Sequence, residues 1–415
     1  MQVAKFVRRF VVLTVAVGSI SAISGVSAGP ALSAQRVDAA AVVQTTDQGI
    51  ATICAKRALR KTQGKASGAS ASAADATKMR RTRAALRRQC MTRFRRGANR
   101  HPKDTPPAPA AIPGNLEIGI DGGYSEWNDE EVEMRSAFGA AVTRHEWDPS
   151  EPVNSQDALV LKAAAEVHTR IHALLGANEL GDPEHYQEWV VAFIRRYGVG
   201  GSFWSEHPEL DASRYAMTSF ELGNEPYYGG MTASQYADTV RPTLESVQQL
   251  GLPAKLILPS VIFGSDTSWM DTLYQRIPDL NSLFYAFADH PYWYGHDPSE
   301  GGNDGPLARI DTLRQHMNAL GASAKPIFIT EYGESTADCG EECVSESVQA
   351  EHLSEMLDAV VSHPDWGVKM LSTFQLHDWG TDSSDREAQF GLLREDGTPK
   401  PAYTIIHAYV QQYRG

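Results

Sequence analysis

Two stretches of this sequence end an apolar run on a glutamate. Ser219 to Tyr228, SFELGNEPYY, carries Asn224 and Glu225 to a polar tip, and Pro226, which has no N–H to give a ladder, is where strand pairing should stop. Pro326 to Ser335, PIFITEYGES, runs apolar as far as Glu331 and then meets Gly333. Alternation along the first stretch puts Glu221, Gly223 and Glu225 on one face. Carboxyls held at two strand tips suit reactions in which one group moves a proton while another attacks or stabilises a developing cation. A solvated loop acid would account for either glutamate alone. It accounts poorly for two strand-end glutamates at positions 225 and 331 separated by about three β/α units.

The elements that must bring these residues together alternate eight times. The expected strands are LEIGID (116–121), AAVTRHEW (140–147), HTRIHALLG (168–176), the stretch from Ser219, KLILPSVIF (255–263), LFYAFADHPYWY (283–294), PIFITE (326–331) and KMLSTFQLHDWG (369–380). Helical periods fall between them at 156–167, 186–197, 235–250, 268–276, 308–320, 345–361 and 402–413, with Thr232 or Ser234 capping one start and Gly251 and Gly321 closing two ends. Eight such units in about 300 residues predict an α/β fold, a (β/α)8 barrel over 115–415, with its site at the C-terminal ends of the strands. Polar or aromatic residues crowd those ends: Asp121, Arg144, His145, His172, Asn224, Glu225, His290, Tyr292, Glu331, His377, Asp378 and Trp379.

Asn224-Glu225-Pro226 on an apolar strand, followed by Glu331 on a later one, resembles the large clan of (β/α)8 retaining glycoside hydrolases, clan A, that keeps glutamates on strands four and seven. The resemblance covers about 115 to 415. It extends to an Arg closing strand two (Arg144), a His on strand three (His172), a His-x-Tyr pair on strand six (His290, Tyr292) and a Trp after strand eight (Trp379). That series is similar to the family 5 cellulase/mannanase/exo-glucanase branch. Family 39 xylosidase-like relatives are near, and ELGNEP also resembles the glucuronidase/heparanase-like branch. The resemblance implies a carbohydrate substrate, Glu225 as general acid/base and Glu331 as nucleophile. It further implies Asn224 on a sugar hydroxyl and substrate-binding places for Arg144, His172, His290, Tyr292 and Trp379, with no metal and no cofactor.

Those residue types fit that chemistry. Cleaving a glycosidic bond needs a proton on the leaving oxygen and a stabilised oxocarbenium-like carbon, and carboxyls about 5–5.5 Å apart give retention. Repulsion between the two should raise the pKa of the acid, while Arg144 and the Tyr292 hydroxyl keep Glu331 ionised. Glu221, roughly 13 Å down the strand at about 3.3 Å per residue, is expected to be tied up in the barrel interior. Glu334 is a rival nucleophile, Asp378 either binds substrate or caps a loop, and His172 and His290 lack the carboxylate or Cys cluster of a metal centre. Cys339 and Cys343 should close a small loop on the rim.

The remainder of the chain is a different object. Lys5, Arg8 and Arg9 precede a short apolar segment, Phe10 to Ile23, and Val26-Ser27-Ala28 fits a cleavage site, with Leu32-Ser33-Ala34 a rival, so 1–28 reads as a signal peptide and the protein as secreted. Residues 51–103 hold 16 Lys and Arg against one acid, Asp75, whereas 104–415 hold 18 against 48 acids. The basic segment, 35–100, should form two short helices joined by Cys54–Cys90. It is either a solvated tail or a cationic anchor for an anionic cell-wall polymer. Prolines make 101–114 a stiff linker. No second apolar run has membrane length, no nucleic-acid partner is expected, and a monomer is.

Overall fold

Each apolar run is flanked by helices on one side and the barrel interior on the other, so nearly every strand residue is buried, as in other parallel sheets. The structure, a computed structural model, describes residues 116–412 apart from 124–125, 177–179, 263–264 and 381. The expected signal peptide, basic segment, Cys54–Cys90 pairing and linker lie outside the described residues.

The strands are β1 (Glu117–Asp121), β2 (Val142–Trp147), β3 (Arg170–Leu175), β4 (Ser219–Leu222), β5 (Lys255–Leu258), β6 (Ala286–Asp289), β7 (Ile327–Tyr332) and β8 (Val368–Thr373). Each pairs in parallel with the next, and β8 pairs with β1 to close the barrel. The helices that follow include α1 (Asp129–Phe138), α2 (Asp157–Lys162, continued by a π-helical turn, Ala163–Val167), α3 (Pro183–Tyr197) and α4 (Ala233–Gln249). After β5 come α5 (Ser268–Arg276), α6 (Pro306–Ala319), α7 (Glu346–Ser362) and α8 (Pro401–Gln412).

Local chemistry sets the helix starts. Thr232 accepts from Gln235 N while the Gln235 side chain returns to the Thr232 N–H, a reciprocal cap on α4. Asn128 and Glu131 do the same for α1. That helix was not anticipated, because its run DEEVEMRSAF breaks apolar periodicity with charge. Among the described residues no helix is long and apolar enough to cross a membrane. The Cys339–Cys343 bridge is present, between β7 and α7.

Most of the core lies between strands and helices. A smaller apolar set, Val142, Ile257, Ala286, Ala288, Phe328 and Met370, packs separately, from residues the strands turn into the barrel.

Candidate active site

Alternation on β2 decides the centre of the site. His145 and Trp147 point outward, where the His145 ring lies 5.9 Å from Trp127 and 4.9 Å from Trp147. Arg144 therefore points inward, and its guanidinium, 3% exposed, spends all five N–H donors on protein. Nε donates to Glu221 Oε2 (2.8 Å) and Nη2 to Glu221 Oε1 (3.3 Å) and Asn224 Oδ1 (2.8 Å). Nη1 donates to Asp121 Oδ2 (2.9 Å) and Glu331 Oε1 (2.7 Å). One cation thus ties together the ends of β1, β2, β4 and β7.

Strand β4 stops at Leu222, earlier than the run of residues suggested. Gly223 then takes φ 89°, a left-handed conformation that costs glycine nothing. Glu225 follows at φ 44°, ψ 55°, and Pro226–Gly229 form a 3-10 turn. A left-handed glutamate costs roughly 1–2 kcal/mol, and such strain is retained at sites that need a side chain aimed against the run of the chain. The turn folds Glu225 back over the barrel. Glu221 is tied up in the barrel interior as expected, but the turn brings Glu225 nearer to it than extended spacing implies: the two sit at opposite nitrogens of one imidazole, Glu225 Oε1 at 3.1 Å from His290 Nδ1 and Glu221 Oε1 at 3.9 Å from Nε2. Glu221 is fully buried between Arg144, His172 and Thr330.

Glu331 ends β7 across the barrel. Its Oε2 accepts from the Tyr292 hydroxyl (3.2 Å) and lies 3.8 Å from His290 Nδ1. Strands β4 and β7 are not neighbours, since β5 and β6 intervene. The carboxylates meet because both side chains reach inward to His290. Gly333 lets β7 pass beneath β8: a Cβ there would stand 1.9 Å from the Phe374 carbonyl oxygen.

The charge balance is negative. Arg144 serves Asp121, Glu221 and Glu331 together, so no one of them has it to itself. Burial raises the pKa of Glu331, and His290 and Arg144 offset this only in part, so it ends above the ordinary carboxylate range. Burial also pushes Glu225 up, but the close contact and charge of His290, helped by Arg309 and Tyr227, outweigh it and hold Glu225 low. This order reverses the expectation of a resting acid at 225 and a resting anion at 331. The physical reason is that the neighbouring cation is divided three ways while His290 favours Glu225. Burial opposes charge on His290 as well, yet Glu331 and Glu225 raise it above its usual pKa.

Other expected residues take different places. His172 is fully buried one layer down, with Nδ1 on Ser219 Oγ and Nε2 on Glu221 Oε2, so it steadies Glu221 and does not face the cleft. Trp379 lies six residues beyond the end of β8 and is 49% exposed, its ring set edge-on to Phe374 at 6.2 Å. Phe374, directly after β8, occupies the tip position instead. Glu334 turns away from the cleft to Gly295 N and His352, and Asp378 is locked to Lys400 and the Gly391 N–H.

Three contributors went unseen. Tyr227 donates to Glu225 Oε1 (3.2 Å), and the second letter of PYY was its only signal. Thr330 bridges His290 Nε2 (2.9 Å) and Glu221 Oε1 (3.1 Å). Glu146, two residues after Arg144 on β2, is a carboxyl at the same mouth that period-2 alternation could have found.

Residues 203–404 match the family model described as glycosyl hydrolase catalytic core. No curated protein matches the sequence. The fold is similar to that of a family 39 glycoside hydrolase from Bacteroides cellulosilyticus WH2, at TM-score 0.55 and 14% identity over 72% of this chain and 66% of that one, just short of two thirds of its length. It is also similar to a glucosidase from Croceicoccus marinus (TM-score 0.52, 13% identity, 72% and 70% covered). A third likeness is to a family 5, subfamily 18 glycoside hydrolase from Streptomyces cattleya in complex with Manβ1-4GlcNAc (TM-score 0.51, 16% identity, 72% and 81% covered). At such identities the likeness is one of fold.

Proposed function

We propose that this chain, which carries a glycosyl hydrolase catalytic core over residues 203–404, cleaves β-O-glycosidic bonds of an oligo- or polysaccharide with retention, Glu225 acting as acid/base and Glu331 as nucleophile. The observation that carries this reading is their common contact. His290 Nδ1 lies 3.1 Å from Glu225 Oε1 and 3.8 Å from Glu331 Oε2, which holds those oxygens within about 7 Å of each other. That bound takes in the retaining separation of about 5–5.5 Å and only the shortest of the inverting ones.

In the first step the Glu225 proton passes to the leaving oxygen, the glycosidic bond breaks, and a Glu331 oxygen bonds to the anomeric carbon. In the second, Glu225 takes a proton from water, the hydroxyl bonds to that carbon, and Glu331 leaves as carboxylate. The reactive form needs its proton on Glu225 although burial favours Glu331 as the resting site. His290 is the group through which that proton redistributes, since its Nδ1 meets both. Tyr292 donates to Glu331 in either state, and Asn224, oriented by Arg144, is placed for a sugar hydroxyl. The signal-like leader supports export, and the basic segment supports retention at an anionic wall polymer.

The test is azide rescue on aryl β-glycosides and polysaccharides. Glu331→Gly should lose about 10³-fold or more in kcat and, with azide, give the α-glycosyl azide. Glu225→Ala should give the β-glycosyl azide, because azide then replaces water in the second step. Exchanged anomers would reverse the two roles, and no activity to rescue would point to a sugar-binding barrel without turnover.

A further inference from the structure

One carboxyl at the cleft takes no part in the steps above. Glu146 follows Arg144 by two on β2, and outward-facing His145 and Trp147 flank it, so its side chain leaves the strand toward the barrel mouth. It is half-buried, and among the described residues no hydrogen bond or ion pair reaches its carboxyl. A carboxyl so placed ordinarily finds a donor. Arg144, the nearest cation on its strand, has none left, its five N–H groups being committed to Glu221, Asp121, Glu331 and Asn224. Burial, with the charges of Asp121, Glu331 and Asp148, outweighs the pull of Arg144 and raises Glu146 to about 7. These are the neighbours of a group that shares the cavity of the nucleophile.

We infer that Glu146 selects the sugar: its carboxyl accepts hydroxyls of a neutral glycone, and together with the saturated Arg144 it turns away uronic acids. This rests on the glycosidase reading and deepens it. Paired hydroxyls of a neutral sugar supply the donors that the protein withholds from Glu146. A uronate brings a carboxylate into a site already holding Asp121, Glu146, Glu225 and Glu331, where it would need a spare cation to be bound. Among the described residues, Arg144 has no N–H left for one, and Arg309 is already paired with Asp289 and Ser260.

The test uses the full chain at pH 8, where Glu146 is ionised, on matched aryl β-glycosides: glucoside, xyloside, mannoside and glucuronide. The expected result for the unaltered protein is turnover of a neutral glycoside with kcat/KM at least about 100-fold above the glucuronide. Glu146→Gln keeps the shape and removes the charge. It should lower kcat/KM on the neutral substrate by about 10-fold and narrow the neutral-to-uronide ratio by a similar factor, an effect a purely structural role would not produce. Glu146→Asp, which keeps the charge and shortens its reach, should preserve the discrimination against the glucuronide. A glucuronide cleaved as well as the neutral glycosides, or a ratio unmoved in Glu146→Gln, overturns the inference and leaves the glycosidase reading standing. No turnover of any substrate, here or on polysaccharides, overturns both.

Discussion

Arg144 Nη1 lies 2.7 Å from Glu331 Oε1, and the same nitrogen lies 2.9 Å from Asp121 Oδ2. The contact that draws the pKa of Glu331 down against burial is therefore also a strut between β1, β2 and β7. Arg144→Lys keeps a positive charge but offers three donors on a single nitrogen, which cannot span Asp121, Glu221, Asn224 and Glu331. Buried carboxylates stripped of their partner cost about 3–5 kcal/mol. Denaturant unfolding should show a loss of that size, and kcat/KM should fall with it at every pH.

Glu146 predicts a pH dependence of stability. Its folded pKa of about 7 lies above the ordinary value of 4.5, so the native state keeps a proton that the unfolded chain releases. Below about pH 4.5 the group is neutral in both states and costs nothing. Stability is lost as pH rises toward 7 and stays lost above it, by on the order of 1–3 kcal/mol. Glu146→Gln should remove that loss. The variant's melting temperature, compared with the parent's, should gain between pH 4.5 and 8, and an equal difference at both ends would contradict the assignment.

The two aromatic rings after β8 should separate in their effects. Phe374 packs 5.4 Å from Phe390, which in turn meets Tyr292 at 6.2 Å, so it supports the residue that donates to Glu331. Phe374→Ala, a truncation of a partly buried ring, should lower stability by about 1–3 kcal/mol and depress kcat on every substrate. Trp379, half-exposed, should tolerate Ala within about 0.5 kcal/mol. If its face carries a sugar, the Ala variant raises KM for polysaccharides and leaves aryl glycosides unchanged. Parallel kinetics on both substrate types would show it.

The barrel was legible because strands buried on both sides write themselves as apolar runs and the helices between them keep their period. Helix α5, Ser268–Arg276, lies where its periodicity puts it. Strand ends were less legible. Alternation assumes that the chain stays extended, and at Gly223 it does not, so Glu225 stands nearer Glu221 than that spacing implies, while Glu221 itself is tied up in the interior as its depth suggests. The same failure followed β8, where Trp379 read as the tip residue although pairing ends at Thr373. Residue types alone also suggested that Arg144 would keep Glu331 ionised. What they do not record is how many acids share one guanidinium, and three do.

The ring of His290 has a consequence for any measurement of this site. Three carboxyls, at positions 221, 225 and 331, stand within 4 Å of its two nitrogens. Glu221, tied to Arg144 and His172, stays ionised, but Glu225 and Glu331 cannot titrate as individuals, and a spectroscopic probe on either will record the other's step as well. The pair behaves as one diprotic acid with two addresses, so a sugar that draws on its proton resets the charge of both.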